Sequence, residues 1–256
     1  DTVVLAMTLE PPGLDPTAGA ASAIAEIVHY NIFETLTKIN ADGSVSPLLA
    51  ESWEVSPDLK TYTFKLRRGV QFHNGEPFNA HTVKFAFDRA AGEKSTNKDK
   101  RTFAALSTQV VDEYTVVLLN KEVDPDFLFL MGQATAIITE PKSADSNATK
   151  PVGTGPYVLA GWNKGASITL SQYPAHRQAA AIKLKRATFK FISDPAAQTA
   201  ALLSGDLDVF VRVPAYRSLA QFKANPRFQV IVSGSRAKTI LATNNARKPL
   251  DDVRAR

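Results

Sequence analysis

The stretch "YTFKLRRGVQFHNGEPF", residues 62–78, decides the fold. Tyr62, Phe64 and Leu66 alternate with Thr61, Thr63, Lys65 and Arg67. That period of two places three large apolar groups on one face of a strand and polar groups on the other. Gly69 supplies a turn, Val70 and Phe72 resume the alternation, and Asn74-Gly75 is a type I′ turn signal. The stretch holds no residue set with catalytic spacing, so its order serves a half-buried sheet.

Upstream, Val3 to Met7 reads as a strand that stops at Glu10, Pro11, Pro12 and Gly13. Ile24, Ile27, Ile32 and Leu36 recur at roughly helical spacing and predict a helix within 18–36, packed on one side. Downstream, Asn79 caps a helix through Val83, Phe87 and Ala90 that ends at Gly92. Strands are predicted at 114–119, 136–139, 166–173, 184–192 and 207–211, with further strands near 228–232 and 239–243. Asp124-Pro125 and Asp194-Pro195 each read as the capped start of a helix, and 216–223 as a shorter one. In "PVGTGPY", residues 151–157, the glycines permit close backbone approach, for a tight strand start or for a ligand. The order implies a mixed α/β (α+β) fold without a regular βαβ repeat, and a compact subdomain over about residues 40–150.

Composition narrows the chemistry. The 256 residues are 44% hydrophobic, enough for a sizeable core, and no run has the length and apolarity of a membrane span. Cysteine is absent, which excludes disulfides, thiolate nucleophiles and Cys-ligated metals. Thirty Lys and Arg face twenty-five Asp and Glu, and residues 1–80 are acidic while the remainder is basic. The basic residues are dispersed, without an aromatic–basic repeat, so the reading is a solvated surface and no nucleic-acid partner.

His29, His73, His81 and His176 form no metal-ligand motif, and no GxSxG elbow fixes a nucleophile beside a base. The glycines at 153 and 155 run into Pro156 and a strand, whereas phosphate loops run into a helix. The chain is therefore read as a non-enzyme with no cofactor and no metal. Among the aromatics, Trp53 and Phe72 belong to the core by their strand positions, and Phe103 and Tyr157 are candidates to face a pocket. At the far end, "PLDDVR", residues 249–254, reads as the first turn of a helix, too short to be stable alone. We expect it to continue in a longer polypeptide.

"LAESWEVSPDLKTYTFKLRRGVQFHNGEPFNAHTVKFAFDR", residues 49–89, strongly resembles the signature region of the family 5 extracytoplasmic solute-binding proteins, the peptide-, opine- and nickel-type receptors of ABC importers. "EPPGLDP" at 10–16, "PVGTGPY" at 151–157, "SDPAAQTAALLSGDLDV" at 193–209 and "NNARKPLDDVR" at 244–254 resemble further family blocks in the expected order. The resemblance implies the first lobe of a bilobal periplasmic-binding-protein-like fold, with an inserted shoulder subdomain at about 40–150 and the second lobe lying beyond this sequence. It implies a periplasmic or extracytoplasmic protein that closes around a small solute such as a peptide and presents it to an ABC transporter permease. It places Glu10, Pro11, Pro12 and Gly13 near the ligand backbone and Phe103 where nickel-type receptors carry an aromatic. The small residues at Ala18–Ala21 and the lack of an arginine near Gly132 depart from the nickel type, so a peptide is the expected solute, with opines, sugars or metal chelates as alternatives. The rival reading is an isolated lobe that acts as an interaction or assembly module.

Overall fold

In the computed structural model, residues 1–212, 216–232 and 242–255 are described. The chain divides into two compact units, Asp1–Pro214 and Ala215–Arg256. The first unit begins with β1 (Thr2–Met7) and α1 (Ser22–Val28), followed by the short hairpin β2 (Thr37–Ile39) and β3 (Val45–Pro47). Next come β4 (Ala50–Val55), β5 (Thr61–Leu66), α2 (Ala80–Ala91), α3 (Lys100–Ala105), β6 (Leu106–Asp112), β7 (Thr115–Asn120) and α4 (Phe127–Leu130). The chain then forms β8 (Tyr157–Asn163), β9 (Ser167–Gln172), β10 (Arg186–Phe191), α5 (Pro195–Ser204) and β11 (Val209–Phe210). The second unit carries α6 (Leu219–Ala224).

The alternation at 61–66 is realised in β5, an inner strand of the sheet β4-β5-β7-β6. Phe64 pairs with Trp53 on one side and Val116 on the other, and Tyr62, Phe64 and Leu66 are buried. They form one core with Phe72, Phe78, Phe87 and Phe103 beneath α2 and α3. Asn79 accepts hydrogen bonds from the His81 and Thr82 amides, completing a capping box, and α2 ends at Gly92 as the sequence requires.

A second core underlies the sheet β11-β1-β10-β9-β8. Here β1 runs parallel to both β10 and β11, whereas β10, β9 and β8 are antiparallel neighbours. Met7, Ile168, Leu170 and Phe189 of this sheet pack with Ile24, Ile27 and Val28 of α1 and with Leu14, Ile32 and Phe33.

Several local expectations are overturned, each for a tertiary reason. The helix expected within 18–36 is only α1, because Tyr30 turns left-handed (φ 61°) and the Asn31 and Ile32 carbonyls accept from Tyr157 and Gly155 amides, both at 2.9 Å. Those carbonyls are spent outside the helical ladder. Residues 70–77 do reverse, but only Gly75 is left-handed (φ 85°) and Asn74 is not, so the turn is not type I′. Gly75 donates to Phe72 O and Phe72 to Glu76 O, and Pro77, which lacks an N–H, limits the pairing to one bridge with Gln71. The strand expected at 136–139 is a 3-10 turn at Ala134–Ala136 followed by one backbone bond, Ile138 N to Glu34 O. Asp124 caps the turn at Asp126 rather than α4, which starts at Phe127. Residues 228–232 are not a strand, and most of the strand expected at 239–243 lies outside the described residues. Residues 249–255 form turns ending in a 3-10 turn at Val253–Ala255.

The glycines of 151–157 serve backbone approach. A Cβ on Gly153 would overlap the Ile32 carbonyl oxygen, and one on Gly155 the Asn31 carbonyl oxygen. Gly153→Ala is therefore expected to cost about 3 kcal/mol or more in urea unfolding. Gly161→Ala, where no neighbouring atom lies within 4 Å, should shift stability by no more than about 0.5 kcal/mol. Phe64→Ala should cost about 3–5 kcal/mol in the same measurement, since the ring is fully buried.

Candidate functional site

Because β1 is parallel to β10 and β11, the carboxyl ends of the three strands open at one edge of the sheet. In open α/β sheets, ligands bind in the crevice outside such ends. Here the crevice is a groove of about 90 Å³ lined by Ala6 to Leu9 at the end of β1, by Ser22, Ala23 and Glu26 on α1, and by Val211 and Arg212 after β11. Leu9 (67% exposed) and Val211 (51%) offer apolar surface at its rim. Glu26 and Arg212 form an ion pair at 2.7 Å. Ligand pockets commonly enclose about 300–1,000 Å³, so this groove is smaller than a pocket that encloses a whole solute.

The segment 10–13 follows directly on the groove but does not line it. The Glu10 carboxylate accepts from Trp162 Nε1 at 2.7 Å and from the Gly165 amide at 3.1 Å. The Gly165 amide, then the Trp162 indole, hold its pKa below the ordinary carboxylate value. Its charge is thus spent fastening the loop to the β8–β9 turn, where Lys164 Nζ also lies 3.0 Å from the Trp162 ring centre. Pro11 is buried, Gly13 is half-buried against Ala148, and Pro12 is the exposed member of the four.

The two aromatic candidates are not brought together. Phe103 is 1% exposed and packs against Phe87, 5.3 Å between ring centres, inside the core of the β4-β5-β7-β6 sheet. It is a core residue with no face toward a solute, which corrects its reading as a pocket residue. Its loop-adjacent position misled because α3 turns the ring inward. Tyr157 opens β8 half-buried, and its hydroxyl donates to Leu184 O at 3.0 Å. Burial pushes its pKa up, and the ring leans on the second core away from the groove lining.

Sequence reasoning missed three charged arrangements. Asp15 (4% exposed) accepts from the Thr17 amide and hydroxyl, and Arg89 of α2 reaches Thr17, Asp15 and Ala144 O, tying the 10–17 segment to the other core. Glu34 (3% exposed) receives a two-pronged Arg177 contact at 2.6 and 2.8 Å and the Thr154 hydroxyl at 2.9 Å. Burial raises the Glu34 pKa, but His176, Arg177 and Thr154 together outweigh it and hold the carboxyl below its ordinary value. The third arrangement is Glu26 with Arg212. All three join residues more than seventy positions apart, and neither period nor spacing signals them.

Comparison with known proteins gives a consistent result. Residues 44–256 match the bacterial extracellular solute-binding proteins, family 5 middle region. The chain is 29% identical over 259 residues to the glutathione-binding protein GsiB of Salmonella choleraesuis (strain SC-B67), covering 99% of this chain and 50% of GsiB. Among solved structures, it is similar to MoaA of A.tumefacien R10 in complex with mannopinic acid (TM-score 0.85, 27% identity, 99% of this chain and 53% of that one). It is also similar to AgaA of A.tumefacien R10 in complex with agropinic acid (TM-score 0.81, 30% identity, 88% and 46%). The chain spans about half the length of the curated relatives it matches.

Two partly buried histidines give the first unit a pH dependence. His29 stacks on Tyr30 at 3.8 Å between ring centres, and burial pushes its pKa down to about 4 against the support of the Gly132 carbonyl. His73 is also lowered, by burial first and by His176, with the Gly155 carbonyl and Glu34 opposing. The unfolded chain binds these protons near the ordinary value of about 6.5, so their stabilising neutral forms are complete above that pH and lost as it falls. Between pH 7 and 4.5, His29 alone should remove about 2–3 kcal/mol, and His29→Gln should flatten that part of the urea-stability profile.

Proposed function

This chain belongs to family 5 of the bacterial extracellular solute-binding proteins, and we propose that it captures a small amino-acid-derived acid, a short peptide or an opine, for delivery to an ABC transporter permease. The groove at the carboxyl ends of β1 and β11 carries this reading, because it joins exposed apolar surface to an acid and a base at the place where parallel sheets receive ligands. The solute class is supported by the relatives: one is a glutathione-binding protein, and two were solved in complex with mannopinic and agropinic acid. Family membership places the protein outside the cytoplasmic membrane, periplasmic where there is an outer membrane.

Capture proceeds by closure. The groove covers one side of a solute, and a second lobe meeting the other side would stabilise the closed arrangement through contacts that are incomplete in the open one. No bond in the solute changes. In this reading residues 40–150, built on the β4-β5-β7-β6 sheet, are an inserted shoulder held to the first lobe through Arg89 and Asp15. Leu9 and Pro12 are the side chains of the 9–13 segment exposed to a solute, with the backbone there as its polar edge.

Binding is measured by calorimetry, and by ligand-observed NMR at millimolar solute, with glutathione, mannopinic acid and a neutral sugar as control. We expect saturable binding of at least one acid and none of the sugar. Binding of neither acid, or equal binding of the sugar, overturns the reading.

A further inference from the structure

We propose that Glu26 and Arg212 form a recognition pair for a zwitterion, in which the solute's carboxylate takes over Arg212 and its ammonium takes over Glu26. This rests on the solute-capture reading above and names the class of solute. Apart from the hydroxyls of Thr8 and Ser22, the other side chains of the groove are apolar, so these two residues supply all of its side-chain charge.

The pair is arranged for exchange. Arg212 follows β11 with its side chain 73% exposed, whereas the Glu26 side chain is 27% exposed on α1. The carboxylate is therefore the more enclosed partner of the pair and the guanidinium the more solvent-exposed one. An ion pair this open contributes little to folding, because water screens both charges and two long side chains must be ordered to form it. Breaking it is therefore a small loss that two new charged contacts outweigh.

Exchange also discriminates. A solute carrying both charges gives each protein group a new opposite partner, and nothing is left unpaired. One carrying only a carboxylate takes Arg212 but leaves its own charge near that of Glu26, and a neutral solute must leave the pair closed. Specificity of this kind comes from the charge stranded by the wrong solute as much as from the contacts made by the right one.

The test measures affinity for glutathione, for mannopinic acid and for the N-acetylated form of each, using the unaltered chain, Arg212→Met, Glu26→Gln and the double variant. Thermal unfolding within about 2 °C of the unaltered chain establishes that each variant is folded. Arg212→Met is expected to weaken every carboxylate solute by about tenfold or more. Glu26→Gln should weaken the parent zwitterions by about the same factor while leaving the acetylated forms unchanged or tighter. Binding that both variants leave within about twofold overturns the pair's role and leaves solute capture standing. A Glu26→Gln loss that is equal for parent and acetylated forms overturns the ammonium half. Failure of the unaltered chain to bind any of the four even at millimolar solute, where the weak binding expected of one-sided coverage is still read by NMR, removes solute capture at this groove, and the pair's role with it.

Discussion

Among the described glycines, the tightest approach to another segment is that of the Gly153–Gly155 loop to the backbone at Asn31–Ile32. The two segments approach so nearly that no side chain fits between them, and the Gly155 and Tyr157 amides bond to the Ile32 and Asn31 carbonyls. From it follow the early end of α1, the left-handed Tyr30, and the point at which β8 joins the sheet. His73, on the turn after β5, grips the same loop: its amide donates to Gly153 O, its Nδ1 accepts from the Gly153 amide and its Nε2 meets Gly155 O. One short loop therefore touches both cores.

Glu34, Arg177 and Thr154 secure this junction electrostatically. A buried carboxylate is tolerable only when its charge and lone pairs are met, and here an arginine fork and a hydroxyl meet them. Asp15 and Arg89 repeat the device across the other seam. Both stand apart from the groove, so its ion pair can change partners without loosening the frame.

Local sequence was a good guide wherever a residue's environment depended on its near neighbours. The β5 alternation, the Asn79 cap and the Asp194-Pro195 start of α5 all appear as expected. It failed where a distant segment claimed a backbone group. Nothing between residues 18 and 36 reveals that the Asn31 and Ile32 carbonyls belong to the loop that carries Gly155 and Tyr157. Phe103 shows the same limit at the level of a side chain: a ring beside a polar loop looks accessible until the helix that carries it is packed.

The site divides along the same line. The sequence by itself determined the mixed sheet-and-helix class, the core of the 50–120 sheet and the family, because periodicity, capping and motif order are properties of contiguous residues. It marked 10–13 as a special segment but not its use: tertiary structure decided that Glu10 fastens a turn, that Phe103 lies in a core, and that the charged groove belongs to Glu26 and Arg212. Those assignments depend on which strand lies beside which. That order is set by the burial of whole faces and by backbone groups satisfied across long chain separations, and no short window of sequence contains them.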